Sequence, residues 1–97
     1  MDDEIQRAIA NHQVIEFDYK ARHRAAEPHV LGIHNGRKQV LVYQTGGESS
    51  SGALPQWRRM DGDDISGLRV TGEKVPGRRP TGTGEHTRWD RVIAVVE

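Results

Sequence analysis

The stretch IQRAIANHQVIEFDYK, residues 5–20, changes its hydrophobic period half-way along, and that change decides the fold. Ile5, Ala8, Ile9 and His12 recur at the spacing of one helical face, about 3.6 residues per turn. From Val14 the period drops to that of a strand. Ile15, Phe17 and Tyr19 fall on one side and Glu16, Asp18 and Lys20 on the other, which marks a half-buried strand. The helix reads over residues 3–12, with Asp3 as its cap, Gln6 completing a capping-box-like pair and Asn11 as its exit. A helix of about ten residues is marginal alone, so it must dock on whatever the strands build.

Working outward, a basic turn (Lys20, Arg22, His23, Arg24) leads into a second extended segment over residues 26–33. Its Pro28 belongs on a sheet edge or at a bend. Asn35-Gly36 then separates it from Lys38-Gln-Val-Leu-Val-Tyr-Gln44, a strong hairpin signal. Residues 45–55 (TGGESSSGALP) read as a flexible loop. Gln56-Trp-Arg-Arg-Met60 and residues 65–70 are two more strands, joined by the turn Asp61-Gly-Asp-Asp64. Residues 71–87 carry many breakers and read as a linker. Residues 88–97 read as a final strand, apolar on both faces from Val92 to Val96 and therefore expected to be buried on two sides. The expectation is a single domain over residues 1–97, mainly β with one N-terminal helix. Its barrel strands lie within 14–70 and curl into a small SH3/Sm-like β-barrel. Ile5 and Ile9 should pack on one end of a barrel holding Phe17, Leu41 and Trp57.

Composition narrows the function. The chain has 97 residues, 34% of them hydrophobic and 29% charged, so it has one modest core and no room for a separate cofactor domain. Lys+Arg and Asp+Glu both number 14, so no bulk cationic field is available to hold a polyanion. The absence of cysteine excludes disulfides, thiolate zinc sites and cysteine nucleophiles. The N-terminus is acidic and no apolar run approaches the roughly 20 residues of a membrane span, so a cytoplasmic protein without membrane contact is expected.

Catalytic and metal motifs fail on spacing. Gly47-Glu-Ser-Ser-Ser51 lacks the second glycine of a nucleophile elbow, and the segment from Gly77 to Thr83 imitates a phosphate loop without its lysine. Asp61-Gly-Asp-Asp64 is followed by Ile65 where a calcium loop needs another oxygen ligand. His29 and His34 have odd spacing, which on one strand sends them to opposite faces. No catalytic residue, metal or cofactor is expected. The basic residues Arg22, Arg24, Arg37, Lys38, Arg58 and Arg59 carry more weight. If neighbouring strands pair in sequence they can converge on a phosphate or carboxylate through bidentate guanidinium contacts. The alternative is a solvated rim paired with Glu27 and the acidic turn.

The order helix, Ile15-Glu-Phe-Asp-Tyr19, Arg24-Ala-Ala-Glu-Pro28, Val40-Leu-Val-Tyr43 and Trp57-Arg-Arg-Met-Asp-Gly-Asp-Asp-Ile65 resembles the WYL domain. The resemblance covers residues 3–70, and the tail is similar to the extension of short stand-alone members. In it Tyr19 matches the strand-1 tyrosine, Arg24, Glu27 and Pro28 the arginine–proline signature, and Arg58 the first arginine of the later motif. Only Leu41 of the naming tripeptide is kept. Met60 stands where the family has phenylalanine, and Asp64 reverses the charge of its second arginine. The resemblance implies a bacterial regulatory or sensor module that binds a small anionic ligand or a protein partner. Nucleic-acid binding in transcription regulation is the alternative, disfavoured by the acidic turn beside Arg58 and Arg59. The candidate ligand-binding residues are Tyr19, Arg22, Arg24, His29, Tyr43 and Arg58. The C-terminal strand is expected to close on its own barrel with Trp89 packed there, leaving a monomer or weak homodimer.

Overall fold

The computed structural model describes residues 2–47, 54–77, 79 and 89–97. One helix, α1 (Asp2–Ala10), precedes strands β1 (Gln13–Tyr19), β2 (Arg22–His34), β3 (Arg37–Gly47), β4 (Gln56–Asp61), β5 (Ile65–Lys74) and β6 (Arg91–Val95). A single 3-10 turn, Gly62–Asp64, joins β4 to β5. The fold is mainly β with one N-terminal helix, as the change of period implies. α1 already includes Asp2, so Asp3 lies inside the first turn instead of capping it. There Asp2, Asp3 and Glu4 complement the positive end of the helix dipole. The helix leaves through His12, whose φ of 53° is left-handed, one residue beyond the expected Asn11.

The six strands form one antiparallel sheet in the order β4-β3-β2-β1-β5, with β6 added beside β2. Two tight turns set the meander. Asn35 and Gly36, at φ 52° and 76°, make the expected β2–β3 hairpin. Lys20 and Ala21, at 52° and 62°, make the β1–β2 hairpin, so Arg22, His23 and Arg24 belong to the strand and not to a basic turn. The sheet curls like a small barrel but does not close, since among the described residues β4 and β5 end its path unpaired with each other.

β2 is the central strand, which places Pro28 away from any edge. β1 pairs with β2 only as far as Ala26, and β6 takes up the same edge from Val30. Pro28 falls in the gap between the two ladders, where no N–H is called for. A bulge between Pro28 and Val30 follows at once in the β2–β3 pairing.

Ile5, Ala8 and Ile9 close over Ile15, Phe17, Ala26, Leu31, Val40, Val42 and Met60, with Val96 completing the inner core. Leu41 and Trp57 are not in this core. Leu41 is buried on the other side of β3, and Trp57 is half-buried against Tyr43, because alternation along β3 and β4 sends them outward. β5 runs to Lys74, shortening the expected linker, and the Val75 N–H donates to His12 O at 2.8 Å. β3 likewise runs to Gly47; residues 48–53 of the expected loop, 78 and 80–87 of the expected linker and 88 of the expected last strand lie outside the described residues. β6 is not buried on two sides. Val92 is 43% exposed while Val96 is buried, because β6 covers one end of β2 and little covers β6. Trp89 lies on Gly32, where an added Cβ would stand 2.8 Å from its ring and 2.5 Å from Arg91 O. Only glycine admits so close an approach. No helix among the described residues is long and apolar enough to cross a membrane.

Candidate functional site

The polar residues that the fold buries are concentrated on β2. Arg24, Glu27 and His29 are all less than 5% exposed, and Gln44 on β3 is fully buried. The strand's alternation distributes them to two sides of the sheet. Arg24 and Ala26 share the inner side, while Glu27 faces outward.

On the inner side, Arg24 Nη1 donates to Gln44 Oε1 at 3.1 Å, and Gln44 Nε2 donates in turn to Gly46 O at 3.1 Å. The Arg24 guanidinium carbon stands 5.4 Å from the Tyr19 ring centroid, within cation–π range. The Tyr19 hydroxyl accepts the Asp61 N–H at 3.3 Å, tying the end of β4 to β1 across the open side of the sheet. Gly47 allows this packing: at φ 83° its missing Cβ would lie 2.7 Å from Arg24 Cα. Register pairs Arg58 with Val42 and Gln56 with Gln44. Cross-strand partners share a face, so half-buried Arg58 lies on the same side as Arg24.

On the outer side, register places Glu27, Tyr43 and Trp57 in one row across β2, β3 and β4. The Tyr43 and Trp57 rings pack at 4.9 Å, and His29 meets Trp57 edge-on at 4.7 Å. The Glu27 carboxylate, 5% exposed, accepts two hydrogen bonds from Arg79: Nε to Oε1 at 2.6 Å and Nη2 to Oε2 at 2.9 Å. This fork-on-fork geometry is the strong form of an arginine–carboxylate contact. The Arg79 guanidinium also lies 4.8 Å above the Tyr43 ring. Hydrogen bonding to Glu27 raises the Arg79 pKa above its ordinary value; partial burial acts the other way, and the negative charge of Glu27 reinforces the rise. His29 Nε2 stands 3.7 Å from Glu27 Oε1.

The six residues singled out from the sequence therefore divide. Tyr19, Arg24 and Arg58 share the inner side, whereas His29 and Tyr43 belong to the outer row. Arg22 is exposed at the start of β2, paired with Tyr19 in register. Glu27 is not the partner of Arg24 or Arg58, because it faces away from them. Its partner, Arg79, was missed: it lies among prolines and glycines in a stretch with no periodicity, and no local signal couples it to a residue 52 positions earlier. A separate cleft between α1 and the chain end, lined by Gln6, Ile9, Ala10, His12, Ala94, Val95 and Glu97, contains none of the six.

No family model matches the chain, and no curated protein or solved structure matches it either.

Proposed function

We propose that the chain is a cytoplasmic, non-catalytic regulatory module of WYL type, binding a small anionic ligand on the face that carries Tyr19, Arg24 and Arg58. The observation behind this reading is the oriented guanidinium of Arg24, held by the Gln44 amide and stacked over the Tyr19 ring on the central strand. At 3% exposure Arg24 acts as a fixed positive charge beneath the face, and half-buried Arg58 is the member that meets the ligand. The sheet order β4-β3-β2-β1-β5, with a 3-10 turn before β5, supports the barrel-like scaffold that the WYL resemblance implies. A formal net charge of zero favours a small anion over a polyanion.

The test is thermal unfolding with inorganic phosphate and nucleoside monophosphates at constant ionic strength. The wild type should show a saturable rise in melting temperature, as expected when a ligand binds only the folded state. Arg58→Ala should lose most of it. An unchanged response in Arg58→Ala places the site elsewhere. No response to any anion leaves the module to a protein partner. Submicromolar, strongly salt-dependent binding of single-stranded DNA would replace this reading with a nucleic-acid one.

A further inference from the structure

We infer that the outer row Glu27–Tyr43–Trp57 is a guanidinium-binding site whose occupant in this structure is the protein's own Arg79. The site lies on the opposite side of the sheet from the proposed anion face and does not depend on it.

The host is built entirely on strands. Glu27 belongs to the central strand, and Tyr43 and Trp57 stand beside it in register on β3 and β4. A carboxylate only 5% exposed is costly to bury unless it is paired and hydrogen-bonded. Its surroundings match one chemical class. Two oxygens receive two parallel N–H donors at 2.6 and 2.9 Å, and the flat cation rests on an aromatic face at 4.8 Å. Trp57, packed on Tyr43, backs that ring. An ammonium group has no planar fork and satisfies only part of this arrangement.

The guest has a different origin. Arg79 reaches the row from the connection between β5 and β6, 52 positions from Glu27, and remains 36% exposed. Two surface arginine–carboxylate pairs lack this character: Arg69–Glu16 and Arg37–Asp61 join strand residues whose carboxylates are each 28% exposed. A preformed buried acceptor with a partly exposed cation delivered by a connecting segment is the arrangement of a receptor and a tethered ligand. An external guanidinium can make the same contacts once Arg79 leaves, and the tether sets the competition through its effective concentration, typically millimolar.

NMR titration of the full chain with methylguanidinium tests this, read at the Trp57 indole N–H with Trp89 as internal control. Arg79→Ala should bind saturably, about tenfold more tightly than the wild type, in which the tethered side chain competes. Glu27→Gln combined with Arg79→Ala should bind no better than ammonium does. N-acetyl-arginine amide and free arginine then distinguish a side chain of another polypeptide from a free metabolite. If Arg79→Ala does not fold alone, recovery of its folded spectrum by methylguanidinium supports the site equally. Failure of that recovery overturns it, as does a folded Arg79→Ala with no saturable shift at Trp57, or one unchanged by Glu27→Gln.

Discussion

Arg24 and Glu27 lie on the same strand within a few residues of each other, both almost fully buried and opposite in charge, yet the fold treats them differently. Arg24 turns inward and is held by neighbours on adjoining strands, the Gln44 amide and the Tyr19 ring. Glu27 turns outward and is met by a full countercharge brought from a distant connection. The contrast shows two routes by which a thin sheet tolerates a buried charge. The inward charge is shared among groups on adjoining strands. The outward one is matched by a residue of a connecting segment, 52 positions away in the chain.

Mutations can break that contrast. The largest effect is expected on the inner side. Arg24→Ala removes a packed stem and leaves the Gln44 carbonyl oxygen without this donor, a loss of about 2–4 kcal/mol in denaturant unfolding. A loss below about 0.5 kcal/mol would mean that the network contributes little. Glu27→Gln should cost less, about 1–2 kcal/mol, because Arg79 is a third exposed and recovers water when released. This deficit should also be independent of pH over the neutral and mildly alkaline range. The folded-state pKa of Arg79 is raised, so its contribution is fully present below the unfolded value and is lost only as pH rises through the raised one. Unfolding curves at about pH 7.5 and about pH 9 should give the same Glu27→Gln difference, since both lie well below arginine titration and below the ordinary tyrosine value. A deficit that disappears by the upper value would show that another group controls it. The smallest effect belongs to an exposed pair. Arg69→Ala, which removes the contact to Glu16 from a side chain 68% exposed, should change stability by less than about 0.5 kcal/mol. A loss as large as that of Glu27→Gln would erase the distinction between a built site and an ordinary surface pair.

Legibility followed the range of the interactions. The first strand, the Asn35-Gly36 hairpin and the strands on either side of Asp61 were readable because each rests on residues adjacent in sequence. The inner placement of Phe17, Val40, Val42 and Met60 follows from the period of their strands. Alternation assigns residues to faces only after one face has been named the core, and there the reading of Leu41 and Trp57 failed. Arg24 and Arg58 were legible as sharing a side, while His29 and Tyr43 were grouped with them although a bulge and register place both in the outer row.

The sequence by itself determined the helix, the alternating strands, the Asn35-Gly36 hairpin turn and the balance of charge, because each depends on backbone preference or on residues a few positions apart. Only the tertiary structure decided that the sheet stays open between β4 and β5, that Pro28 sits centrally between two ladders, and that Glu27 meets Arg79. Those outcomes depend on which strands share an edge and where a long connection lands. Both are settled by burial and pairing summed over the whole molecule, and neither leaves a periodic trace in the chain.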